Sequence, residues 1–99
     1  MKIEYMTNKF FVASLDFGTS GCDDVCFNAK EIANSMSKFF QATKKAKNKG
    51  YIIIKKYVVT NQNIVEDLTR NEFIQMYFDN VEWVMNGIKE IEKITMPIL

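Results

Sequence analysis

Two cysteines, Cys22 and Cys26, stand four apart in CDDVC, and they are the only thiols of a 99-residue chain that contains no histidine. Structural zinc sites draw four ligands from Cys and His, and two thiols with Asp23 and Asp24 beside them do not make such a set, so neither a metal nor a cofactor is expected. At about 3.3 Å per residue along a strand the two would lie about 13 Å apart, beyond disulfide reach, so both are expected to be free and semi-buried. Without imidazole there is no Ser-His or Cys-His nucleophile pair. The adjacent carboxylates Asp23–Asp24 and Glu66–Asp67 adjoin turns, where solvation is expected rather than poised acid–base chemistry. No Walker-type lysine loop or Rossmann glycine pattern is present. These residue types argue against an enzyme.

One stretch could do phosphate chemistry. Residues 13–21, ASLDFGTSG, run an apolar strand into an Asp-Phe-Gly-Thr-Ser-Gly turn. LDFGTSG resembles the first phosphate loop of the superfamily containing actin, the sugar kinases and the heat-shock chaperone ATPases. On that resemblance Asp16 would handle a metal-bound water, and Gly18, Thr19 and Ser20 would offer donors to an anion. The match covers seven residues, and the second phosphate loop and adenosine pocket of that superfamily have no room here. Hairpin chemistry selects the same residues unaided, Gly for positive φ and Ser or Thr for local hydrogen bonds, and a hairpin is the reading adopted.

The charges are segregated. Lys38, Lys44, Lys45, Lys47, Lys49, Lys55 and Lys56 occur with no acid among them, whereas residues 57–88 carry five acids against Arg70 alone, so a net charge of +1 conceals a dipolar chain. A nucleic-acid-binding accessory role would use Lys44, Lys45, Lys47, Lys49, Lys55 and Lys56, with Tyr51 and Tyr57 as stacking groups. The plainer reading is a solvated lysine-rich helix end and turn. It is favoured because a single arginine is few for a base reader.

The elements that must position these residues follow from pattern. Length and a 47% hydrophobic, 25% charged composition suit one globular domain over residues 1–99. No apolar run approaches the ~20 residues of a membrane helix, and a cytoplasmic protein is expected. Phe11, Ala13, Leu15 and Phe17 alternate with Val12, Ser14 and Asp16 as in a strand buried on one face. KIEYM before it and DDVCF after it read as further strands. Asn28 with Glu31 opens a helix whose stripe is Ala29, Ile32, Ala33, Met36, Phe39, Phe40 and Thr43, closed near Gly50. YIIIKKYVVT and IVEDL read as a second hairpin. Thr69 with Glu72 opens a helix expected from about Arg70 to about Ile94. The expectation is an α+β domain, an antiparallel sheet of four or five strands with two helices, in the order hairpin, helix, hairpin, helix.

On that last helix Phe73, Ile74, Tyr77, Phe78, Val81, Val84, Met85, Ile88 and Ile91 would face the sheet. Met76, Trp83 and Ile94 would align on the opposite face, rimmed by Glu72, Asp79 and Glu90. A Trp and a Met on a polar face are anchor types for a protein interface, and the carboxylates would suit a basic partner such as a nuclease groove, or a second copy in a homodimer. The alternative is that MKIEYM or TMPIL folds over the stripe and makes it core. The function expected is a small protein-binding module. Its size, charge segregation and AT-rich residue usage are similar to those of small phage and mobile-element inhibitors of host defence complexes, anti-CRISPR proteins among them.

Overall fold

Both faces of the first strand are apolar where it matters. In β1 (Lys9–Asp16) Phe10 and Val12 are buried on one side, and Ala13 and Leu15 on the other. A strand covered on two sides belongs in the middle of a sheet, and β1 is there. The computed structural model describes residues 8–18, 21–46 and 49–98. Its four-stranded sheet has the order β2-β1-β3-β4, with β2 Gly21–Cys26, β3 Gly50–Val59 and β4 Ile88–Ile98, and every neighbouring pair is antiparallel. The expected single buried face of β1 is therefore corrected to two.

After the β1–β2 hairpin the chain crosses one face of the sheet as α1 (Ala29–Ala46). Glu31 donates its backbone N–H to the Asn28 side chain at 2.9 Å, the expected cap. Ile32, Met36 and Phe39 meet Ala13, Leu15, Cys26 and Ile52. Ala29, Ala33 and Phe40, placed on this stripe by the helical wheel, are exposed, because the contact is centred on Phe39 and Thr43. Thr43 turns its hydroxyl back to the Phe39 carbonyl at 2.7 Å.

The other face carries three short helices: α2 (Gln62–Asp67), α3 (Arg70–Phe78) and α4 (Glu82–Met85). Their Ile64, Val65, Leu68, Phe73 and Val84 close over Phe10, Val12 and Val25. Phe10 stacks on Tyr57 at 4.9 Å between ring centroids and meets Phe73 edge-on at 5.0 Å. Helical layers thus lie on both sides of the sheet. The α+β class and antiparallel sheet stand, while the element order is strand, strand, helix, strand, three helices, strand.

Two expectations are overturned. IVEDL is not a strand: Asn61 caps α2 by accepting from the Asn63 N–H at 3.1 Å, and Ile64 and Val65 enter the core as a helical pair. Nor does a helix run from Arg70 to Ile94. The Thr69–Glu72 capping box opens α3 as expected, but Asn80 adopts a left-handed conformation at φ 55° that ends it. Gly87 closes α4, and its carbonyl accepts from Thr60 and Asn61. The chain then extends along β3 as β4. The KIEYM segment lies outside the described residues. No helix among the described residues is long and apolar enough to cross a membrane.

Candidate functional site

The three-helix layer covers only one end of its sheet face. Successive strand residues alternate faces, so the side chains beyond Val12 and Tyr57 on that face are Ser14 and Asp16 of β1, Asp23 of β2, Ile53 and Lys55 of β3, and Lys93 of β4. They floor an open trough of about 570 Å³, and Phe78, the last residue of α3, forms its wall. Tyr51, cross-strand from Asp16, continues the floor and is 51% exposed, and Phe78 is 44% exposed. An aromatic pair flanking an isoleucine on a sheet face that the other described residues leave open is the composition of an interface centre.

The trough's charge is divided. Asp16 and Asp23 lie on the β1–β2 side, and Lys55 and Lys93 face each other across β3 and β4. Lys55 reaches Glu90 at 3.9 Å. Asp16 accepts the Gly18 N–H at 2.6 Å, with Gly18 at φ 90°. That turn consumes in a hairpin the very N–H that a phosphate loop would present. Thr19 and Ser20 are outside the described residues.

The chemistry available here is recognition. Burial raises the pKa of both thiols, exposed Cys22 and buried Cys26, so each is protonated at neutral pH and is a weak nucleophile. Cys26 meets Ser35 at 3.5 Å, and Ser35 donates to Asp24, which also holds Lys38. Burial, then a hydrogen bond with Tyr57, pushes the Tyr77 phenol well above its ordinary value. Among the described residues no group of three or more Cys, Asp or Glu could hold a metal ion.

The residues proposed from sequence as one stripe are dispersed, because the single helix that aligned them does not exist. Met76 is half-buried against the three-helix core, Trp83 is 41% exposed on α4, and Ile94 sits on β4, paired with Ile54 on the α1 side of the sheet. Glu72 is spent in the Thr69 capping box, Asp79 caps α3 and accepts from Gln75, and Glu90 neighbours Lys55. None of the six lines the trough, and Glu90 reaches it only through Lys55. The lysine run is likewise divided. Lys44, Lys45 and Lys49 are exposed near the end of α1, Lys47 lies outside the described residues, and Lys55 and Lys56 point to opposite faces about 20 Å along β3 from Lys49. Lys56 stands across from Glu92. Tyr51, Ile53, Phe78 and Lys93 were missed as a set, although alternation in YIIIKKYVVT already put Tyr51, Ile53 and Lys55 on one face. No protein-family model, curated protein or solved structure matches this chain.

Proposed function

We propose that the protein is a small non-enzymatic binding module that acts in the cytoplasm by occupying a surface of another protein, as small phage and mobile-element inhibitors of defence complexes do. The observation that carries this reading is the sheet face that the described residues cover only in part, where Tyr51, Ile53 and Phe78 form an apolar centre bordered by charges. Natural domains bury such a surface or use it. Two free cysteines suit a reducing compartment.

The test is site-specific photo-crosslinking in the native host. A crosslinker at Thr95, which lies on the open face opposite Ile53, should capture one defined protein, and a crosslinker at exposed Ser37 on α1 should not. Tyr51→Ala with Phe78→Ala should abolish the capture while leaving the fold intact. Equal capture from both positions, or capture that survives the double substitution, rejects the trough as the binding surface.

A further inference from the structure

The trough does more than expose apolar groups, and its charges specify a partner. Lys55 and Lys93 are directly opposed on neighbouring strands, an arrangement that repels unless an anion lies between or above them. Glu90 at 3.9 Å answers Lys55 weakly, and among the described residues Lys93 has no ion-pair partner. On the other side Asp23 has none either, because it points into the trough, away from α1, whose Lys38 pairs with Asp24 on the opposite face. Asp16 commits only one carboxylate oxygen, to the Gly18 N–H. Unanswered negative charge on β1 and β2 therefore faces unanswered positive charge on β4, with Ile53 between them and Phe78 as the wall beside them.

The geometry points to a bipolar peptide segment of the partner protein as the occupant, lying across the strands with a carboxylate on Lys55 and Lys93 and a cationic side chain on Asp16 and Asp23. This rests on the binding-module reading above and names its ligand class. Strands are spaced at about 4.8 Å and residues rise by about 3.3 Å. Asp16 and Asp23 sit four and two residues along the strands from the level of the Lys55–Lys93 pair, so each lies about 16 Å from Lys93 and about 12–14 Å from Lys55. Three steps of extended chain cover about 10 Å, and the reach of an arginine and a glutamate side chain at its ends covers the rest. The apolar residues between the two charges would meet Ile53 and Phe78. A singly charged ligand leaves one side of the trough repelling or unanswered, whereas a bipolar one answers both, which is how charge arrangement sets register at an interface.

The probes are blocked tetrapeptides in which two leucines are flanked by one arginine and one glutamate, in either order, with double-arginine and double-glutamate versions as controls. Nuclear magnetic resonance on the full chain reads the amide signals of Ile53 and Phe78, and those of Phe39 and Ile52 on the α1 side report that the fold is intact. At least one mixed peptide should shift the trough signals with a Kd on the order of 1 mM. The single-sign controls should bind about fivefold more weakly, and the variants Lys55→Gln/Lys93→Gln and Asp16→Asn/Asp23→Asn should weaken the mixed peptide by about the same factor. Asn at position 16 keeps the acceptor for the Gly18 turn. If all four peptides bind alike, the charge inference is wrong and the binding-module reading stands. If no peptide shifts the trough, the charge inference is also wrong, and the crosslinking result alone decides the module.

Discussion

The Arg70 guanidinium grips the Glu31 carboxylate through two hydrogen bonds of 3.0 Å each, joining the first turn of α1 on one face of the sheet to the first turn of α3 on the other. Arg70 also lies over the Phe27 ring at 4.5 Å, and Glu31 accepts the Phe27 N–H at 3.1 Å. The only arginine of the chain thus clamps two helical layers that the sheet keeps apart.

That clamp gives a pH dependence of definite sign. The hydrogen bonds from Arg70, ahead of that from Phe27, hold the Glu31 carboxyl below its ordinary value. A depressed carboxyl stabilises the fold above the unfolded value of about 4.3, and the gain disappears as pH falls through the folded value. Glu31→Gln should therefore lower Tm at pH 7, and its deficit should vanish in acid. The pair is partly exposed, so screening limits its contribution to about 1 kcal/mol or less. An undiminished deficit at pH 3 would show that the loss is one of packing rather than charge.

Phe10 and Phe40 test where the core lies. Phe10 is fully buried among Tyr57, Phe73 and Tyr77, and Phe10→Ala should cost about 3–5 kcal/mol in denaturant unfolding. Phe40 is exposed on α1, and Phe40→Ala should stay within about 0.5 kcal/mol. Comparable losses from the two would place α1 wrongly on its axis.

Why the hairpin and α1 were legible while the C-terminal half was not comes down to particular residues. Asn28, Thr69 and the β1 alternation act locally, within one turn or one strand, and local chemistry is what a sequence displays. Ile88, Ile91 and Ile94 recur every third residue and so imitate a helix. In the structure Ile91 is the extra residue of a β-bulge, between Lys56 paired with Glu92 and Tyr57 paired with Glu90. A bulge changes which face the following residues meet, and period two then looks like period three. The dipeptides Asp79-Asn80 and Asn86-Gly87 marked the breaks, but the apolar periodicity runs through them. The trough was hidden for another reason: its side chains come from four strands and a helix end, and only the sheet order brings them together.

Trp83, the only tryptophan, reports on α4. Because it is partly exposed, Trp83→Ala should cost about 1 kcal/mol and acrylamide should quench its fluorescence readily. Gly87→Ala should cost about 1–3 kcal/mol, since a Cβ there would sit 2.6 Å from Ile64 Cδ1 and 2.7 Å from Asn61 Cβ. A neutral Gly87→Ala would mean that the α2–α4 contact is looser than described.

Charge reversal at Lys44, Lys45 and Lys49 should leave Tm within a few degrees, because these side chains are exposed at the end of α1. A low-salt mobility shift with duplex DNA or RNA that this reversal removes would establish the accessory-protein reading instead, and the division of the lysines between two faces argues that none will appear.

The long outer strand makes the most demanding prediction. Strand β4 runs eleven residues along an edge of the sheet, and residues 89–95 are all exposed, a template for joining a second copy. Lys89-Glu90-Ile91-Glu92-Lys93 reads the same in both directions. A two-fold antiparallel pairing centred on Ile91 would set Lys89 against Lys93 and Glu90 against Glu92 of the second copy, like charge on like charge. The bulge at Ile91 and Pro97 further on interrupt the hydrogen-bonding edge. The native chain should therefore stay monomeric in analytical ultracentrifugation across concentration. Replacing Lys89, Glu90, Glu92 and Lys93 together by Thr should keep the fold and produce concentration-dependent dimers or larger species, because the strand retains its length and its exposed Ile91 and Ile94 and loses only its charges. A quadruple variant as monomeric as its parent would show that the bulge and Pro97 guard this edge by themselves.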